Sequence, residues 1–274
     1  MFTFQYLKVN KFSKQPIGVF DSGVGGTSIL KELVKMLPQE DFIYLSDSIN
    51  APYGEKTKAE IIKLSHKNTQ LLIEKFNAKL VVVACNTATT NAIEDLRKSY
   101  AVPFIGIEPA IKPAALQSRT KYIGVLATKG TLSSELFEKT SKTLKNEINL
   151  IEVEGKHIVE AVENGETSSE SFKTRLKRQV KLFKNSQIDY LVLGCTHYPY
   201  IKPILENLLP KVKIIDSGFA VAKQTKKILE SSGLVSFNSI QQNIDIYTNK
   251  PNQNVIKNLF KNEEVRVNIN FFEF

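Results

Sequence analysis

The sequence predicts an α/β protein built from two related parallel-sheet α/β domains in pseudo-twofold arrangement, and three observations predict it. Apolar runs alternate with segments of helical period along the whole chain. Those runs are continuously apolar, as in parallel strands covered by helices on both faces. The chain also repeats itself. "IGVFDSGVGGTS" from Ile17 returns as "IGVLATKGTLSS" from Ile123, Cys85 returns as Cys195, and "VPFIGIEPAI" from Val102 returns as "VKIIDSGFAV" from Val212. The three separations are 106, 110 and 110 positions, close enough to one offset to indicate a duplicated unit.

In the first half, "IGVF" (17–20) reads as a buried strand and "VGGTSILKELVKML" (24–37) as a helix opened by glycines. "DFIYLSD" (41–47) is a second strand. Thr57 and Glu60 form a capping-box pattern, in which each side chain closes one orphan N–H of the helix start. The helix they open carries Ile61, Leu64, Leu72 and Phe76. "AKLVVVAC" (78–85) is a third strand, followed by a helix from Thr87 to Tyr100. In the second half, Leu176, Val180 and Phe183 of "TRLKRQVKLFKN" (174–185) fall at helical spacing, which gives an amphipathic helix with a charged outer face. The polar stretches 117–121, 164–171 and 230–239 read as loops. One domain is expected over residues 16–110 together with 217–274, the other over 111–216, with residues 1–15 as an N-terminal extension.

At 274 residues the chain is long enough to bury a sizeable core. An apolar fraction of 42% and a charged fraction of 24% are those of a soluble globular protein. No apolar run approaches a membrane span, and "MFTFQYLKVNKFSKQP" lacks the apolar centre and cleavage site of a secretory signal. A cytoplasmic location with no membrane partner is the expectation. The net charge of +9 raises the question of a nucleic-acid partner. The lysines are scattered, however, and the densest basic run is the outer face of the 174–185 helix. A solvated surface accounts for them, and no nucleic acid is expected.

Cys85 and Cys195 are the only cysteines. A disulfide does not suit a cytoplasmic protein, and two cysteines so far apart, in a chain with three histidines, lack zinc-ligand spacing. Inert buried thiols are the plain alternative. Position argues against it, because each cysteine ends a strand directly before a polar stretch, where parallel sheets collect ligands. If the halves pack about a pseudo-twofold axis, the two thiols approach a bound molecule in the cleft between domains from opposite sides. Inversion of a stereocentre needs that arrangement, one face losing a proton while the other gains one. A thiol pKa of about 8.5 suits the task.

The motifs "IGVFDSGVGGTSILKEL", "APYG", "VVVACNTATT", "VLGCTHYP" and "IIDSG", in this order and at these separations, resemble those of the glutamate racemases. The resemblance runs from Ile17 to about Gly218 and more loosely through "IYTN" (246–249). It implies a cofactor-independent enzyme, without organic cofactor or metal, that interconverts L-glutamate and D-glutamate and supplies the latter for peptidoglycan. It implies Cys85 as the group taking the α-proton from D-glutamate and Cys195 as the group taking it from L-glutamate. Asp21 corresponds to a residue assisting the first cysteine, and His197 to one assisting the second. Ser22, Tyr53, Gly54, Asn86, Thr87 and Thr196, with Asp21 and His197, match substrate-binding positions. A homodimer is implied as well.

Without the resemblance, Asp21 is equally a residue shaping a strand-to-helix turn, His197 a satisfied structural histidine, and Asn86–Thr87 a helix cap. Gly23, Gly25 and Gly26 read as spacers that let their loop approach a ligand. Their spacing does not make the dinucleotide fingerprint. "IVEAVE" (158–163) stands where the family carries a segment like "FVPLVE", which makes Glu163 the counterpart of a glutamate near the second cysteine's histidine, with Glu160 in place of the usual proline. Ser46 and Asn50 replace a common glycine and basic residue, and the extension before Ile17 is longer than usual. His157 is read as incidental, and His66 as a surface or helix-packing residue. The rival functions are an aspartate or hydantoin racemase, and a non-catalytic binding or topoisomerase-modulating protein on the same scaffold.

Overall fold

The computed structural model describes residues 13–144, 146–236 and 242–274. Positions 1–12 of the expected N-terminal extension and positions 237–239 of the third expected loop lie outside the described residues. Among the described residues the strands are β1 (Ile17–Asp21), β2 (Phe42–Ser46), β3 (Leu80–Val83), β4 (Phe104–Gly106), β5 (Tyr122–Ala127), β6 (Asn149–Glu154), β7 (Tyr190–Gly194), β8 (Lys213–Ile215), β9 (Ile244–Thr248) and β10 (Asn268–Phe271). They form a six-stranded sheet of order β10-β9-β2-β1-β3-β4 and a four-stranded sheet of order β6-β5-β7-β8. Every pairing is parallel.

The duplication read from the sequence is visible in this topology. β2-β1-β3-β4 and β6-β5-β7-β8 run in the same order, and the repeated segments supply matching strands: β1 and β5, the strands before each cysteine, and β4 and β8. The first sheet gains β9 and β10 at the free edge of β2.

β1, β3 and β7 are buried along their whole length because helices cover both faces. Helix α1 (Thr27–Met36) packs Ile29, Leu30, Leu33 and Val34 with Val19 and Val82. On the other face α2 (Lys58–Gln70) and α3 (Asn86–Ser99) pack Ile61, Ala88, Ala92 and Leu96 with Phe20, Val81 and Val83. The alternation along each strand is the two-residue period of a pleated sheet. The helix Gly218–Ser231 returns from the second sheet to pack against α1.

The Thr57–Glu60 capping box forms, and α2 continues as a single π-helical turn over Leu71–Lys75. The helix expected from Thr87 begins at Asn86, because the Cys85 thiol itself accepts the Ala88 N–H at the helix start. The helix expected over 174–185 is two, Glu170–Gln179 and Lys181–Lys184, with Val180 between them. It starts earlier because the Ser169 hydroxyl caps it by accepting the Phe172 N–H. Leu176, Val180 and Phe183 are all buried, as their spacing requires. Among the described residues no helix is long and apolar enough to cross a membrane.

At the N-terminal ends of the strands, away from the cysteines, Lys79 and Glu40 form a buried ion pair at 2.5 Å, their side chains 0% and 2% exposed. The Lys79 ammonium also donates to the Ser13 carbonyl, and Glu40 accepts the Ser236 N–H. Burial lowers the Lys79 pKa against the pull of Glu40. Removing one member of such a pair strands the other charge, at a cost of about 3–5 kcal/mol. Glu40→Ala is therefore expected to lower the urea midpoint and melting temperature markedly while leaving far-UV circular dichroism unchanged before the transition. An unshifted midpoint would show that the pair contributes nothing net.

Candidate active site

The two cysteines stand at equivalent places, Cys85 just beyond β3 and Cys195 directly after β7, and both line a narrow cavity of about 10 Å³. That is room for about one water molecule, so an amino acid enters only if the walls part. Loops of the first sheet contribute Ser22, Tyr53, Gly54, Asn86 and Thr87 to its wall; those of the second contribute Thr128, Val159, Thr196 and His197. The cavity adjoins a wider groove, with which it shares Pro52, Gly54, Thr128 and Val159. The structure therefore brings to one wall nine of the residues singled out in the sequence. Asp21 and Glu163 stand behind that wall, at 0% and 4% exposure, and act on it through neighbours.

On the Cys195 side, the thiol sulfur lies 3.8 Å from His197 Nδ1, and His197 Nε2 lies 2.7 Å from Glu163 Oε1. The Gly25 N–H also points at Nε2, at 3.2 Å. One nitrogen cannot donate to the carboxylate and accept from Gly25 together. The shorter, charge-assisted contact with Glu163 holds the proton on Nε2, so Nδ1 is the atom that trades a proton with the sulfur. Burial pulls the His197 pKa down, but hydrogen bonds with Cys195 and Glu163, and the charge of Asp21, carry it well above the ordinary 6.5. His197 is thereby drawn toward its charged form, facing the sulfur.

The Cys85 side is built differently. Its sulfur lies 3.7 Å from the Ser22 hydroxyl and accepts the Ala88 N–H at 3.4 Å. Burial, with the Asp21 charge adding to it, pushes this thiol well above its ordinary range. Asp21 accepts the Gly26 N–H at 2.7 Å and the Thr196 hydroxyl at 3.3 Å, which ties the end of β1 to the loop after β7. Burial raises its pKa too, against the lowering influence of His197. One cysteine is therefore held as a thiol while the other faces an imidazolium.

Asn86 has neither its amide oxygen nor its amide nitrogen hydrogen-bonded among the described residues, although it is only 2% exposed. A buried amide left without partners costs roughly 1–3 kcal/mol. On a cavity wall it is a donor and acceptor prepared for a ligand. Thr87 is engaged differently, bridging the domains through Thr128 at 2.9 Å and Thr131 at 3.3 Å. The Tyr53 hydroxyl turns away to Asp47 and Asn68, so this residue offers the cavity its ring and backbone.

The glycines of the β1–α1 loop have a different neighbour from the one expected. A Cβ on Gly23 would stand 1.9 Å from Glu163 Oε1, and one on Gly25 would stand 2.1 Å from His197 Nδ1. The bareness of Gly23 and Gly25 admits the second domain's side chains to the loop backbone, while a Cβ on Gly26 would meet Asp21 and Tyr44 of the first. Sequence reading passed over Thr128, Val159, Ser48 and Asn252. Thr128 was within reach, since the offset of 106 that aligns Ile17 with Ile123 aligns Ser22 with Thr128. Nothing local marks Ser48 or Asn252, which meet Glu163 only through the fold.

The family model described as Asp/Glu/Hydantoin racemase matches residues 17–225. A glutamate racemase of Herpetosiphon aurantiacus is 40% identical over 235 residues, covering 85% of this chain and 92% of that protein. Glutamate racemase isoform RacE1 from Bacillus anthracis superimposes with a TM-score of 0.85 at 27% identity, covering 96% of this chain and 98% of its own. Escherichia coli glutamate racemase, solved with L-glutamate and an activator, gives 0.82 at 29% identity, covering 94% and 98%.

Because the folded His197 pKa lies above its unfolded value, this imidazolium contributes stability that is complete below about pH 6.5 and is lost as pH rises through the folded value. Glu163→Gln removes one cause of the elevation. The melting-temperature gap between parent and Glu163→Gln is expected to be widest in mild acid and to narrow as the pH rises. A gap independent of pH would contradict the charge assignment.

Proposed function

The chain belongs to the Asp/Glu/hydantoin racemase family, and we propose that within it the chain interconverts L-glutamate and D-glutamate by two-base proton transfer between Cys85 and Cys195. The observation that carries this reading is the meeting of two unlike thiols, one from each domain, in a cavity with an unpartnered buried amide. The glutamate racemase names of the relatives support glutamate over aspartate or a hydantoin.

With L-glutamate bound, the Cys195 thiolate, paired with the His197 imidazolium, takes the α-proton. The Cys85 thiol, held protonated by its burial, gives its own proton to the opposite face of the carbanion. The products are D-glutamate, a Cys195 thiol and a Cys85 thiolate. The reverse reaction starts from that state: the Cys85 thiolate takes the α-proton of D-glutamate, and the Cys195 thiol gives its own to the opposite face. The α-proton beside an ionised carboxylate is a very weak acid, so positioning carries much of the burden. Asn86 supplies an amide, and Ser22, Thr128 and Thr196 supply hydroxyls. The N–H groups of Asn86 and Thr87 at the start of α3 favour a carboxylate. No organic cofactor or metal enters this scheme. Supply of D-glutamate for peptidoglycan, a cytoplasmic location and a homodimer belong to the same reading and rest on the family resemblance.

Purified protein is expected to abolish the optical rotation of L-glutamate and of D-glutamate alike, and to leave aspartate unchanged. Cys85→Ser and Cys195→Ser should each slow racemisation by roughly 10²–10⁴-fold. Asn86→Ala should raise KM while leaving melting temperature equal or higher, since it removes an unpaired buried amide. Racemisation of glutamate that survives loss of either cysteine would overturn the mechanism, and turnover of aspartate alone would overturn the substrate.

A further inference from the structure

Glu163 is the second domain's deepest reach into the first, and it is saturated. Oε1 accepts the Val24 N–H at 2.6 Å and faces His197 at 2.7 Å; Oε2 accepts the Ser48 hydroxyl at 2.7 Å and the Asn252 amide at 3.4 Å. Counting protons fixes the direction of the links to Ser48. Ser48 has one hydroxyl proton, given to Glu163, so Ser46 at 3.0 Å and the Asn252 amide at 3.0 Å must both donate to Ser48. Asn252 Oδ1 in turn faces the Thr248 hydroxyl at 2.8 Å, whose one proton has the Lys250 carbonyl at 3.1 Å as its other acceptor. The opposite amide orientation would set Oδ1 against the carboxylate, so this one is imposed by chemistry. Ser46, Ser48, Thr248 and Asn252 are all buried, none lines the cavity, and Asn252 lies beyond the stretch that matches the family model.

We propose that Ser48 and Asn252 are positioning residues for the Cys195 arm: by holding Oε2 from the first domain and its C-terminal segment, they keep Oε1 on His197 Nε2 and so aim Nδ1 at the Cys195 sulfur. Loss of either donor frees the carboxylate to rotate toward the remaining one. His197 then loses part of the contact that supports its charge. The groups facing the imidazole are Cys195, Glu163 and Asp21, and only the Glu163 contact runs through this chain of hydroxyls and amide. The catalytic part of the proposal rests on the racemase reading above; the structural part does not.

The test uses the full chain, ¹⁵N-labelled at histidine. With three histidines, His66→Gln and His157→Gln variants assign His197 by difference. Ser48→Ala and Asn252→Ala are each expected to lower the His197 pKa from its value in the parent, and Ser48→Thr, which keeps the hydroxyl, to bring it back. In the same samples kcat should fall by roughly 10-fold for both alanine variants, with KM for glutamate changed much less, because the residues act on alignment and do not touch the cavity. A His197 titration unmoved in both folded alanine variants would overturn the proposal. A parent protein that racemises neither enantiomer would instead overturn the functional reading, and the titration would still decide the positioning claim.

Discussion

The contact on which the rest of the site depends is the one between Glu163 and the backbone of the β1–α1 loop. A carboxylate from a short helix of the second domain enters the first and accepts the Val24 N–H, while the histidine it holds lies against Gly25. Burying such a group is expensive unless every lone pair finds a donor. The donors come from both ends of the chain: Val24 and Ser48 near the start, Asn252 near the end. Gly23 and Gly25 are the complementary requirement, since any side chain there would occupy the space these groups fill. The closure of the two domains on one another and the placement of His197 are thus one interaction viewed from two sides.

The two thiols are equivalent in topology and unlike in chemistry. Each follows the last-but-one strand of its sheet, β3 beside β4 and β7 beside β8, as the duplication requires. Cys85 caps α3 and sits with a hydroxyl and a nearby carboxylate; Cys195 sits with an imidazole. Enantiomers have equal free energy, so an enzyme interconverting them must show the same kcat/KM in both directions at every pH. Symmetry of the two arms is not needed for that. The proposed two-base transfer needs one proton shared between two sulfurs, and their unlike environments suit it: burial keeps Cys85 protonated while His197 is drawn toward its charged form.

Much of the fold was legible because the signals were local or repeated. Continuous apolar strands gave parallel sheets, the Thr57–Glu60 pair gave a helix start, and the repeat gave two sheets with one strand order. The cysteines and their polar neighbours were legible by position, at the ends of strands. What escaped the sequence depended on contacts between distant segments. The glycines of the β1–α1 loop were visible as bare backbone, but not that the bareness accommodates Glu163 and His197. Asn252 has no local pattern, because its role follows from β9 pairing beside β2 and so placing the next turn next to Ser48. The helix over 174–185 kept its buried face yet divided at Val180, where periodicity says which residues are buried and not where the backbone turns.

The central claim is that two separate groups, one on each side of the cavity, exchange protons with the α-carbon. The most direct test follows the early course of the reaction in deuterated water from protiated L-glutamate, reading the α-position of both enantiomers by mass spectrometry. Two-base transfer predicts that D-glutamate carries deuterium from its first appearance, while recovered L-glutamate stays protiated at low conversion. D-glutamate that retains the substrate's own proton would mean that one group serves both faces, and would contradict the account.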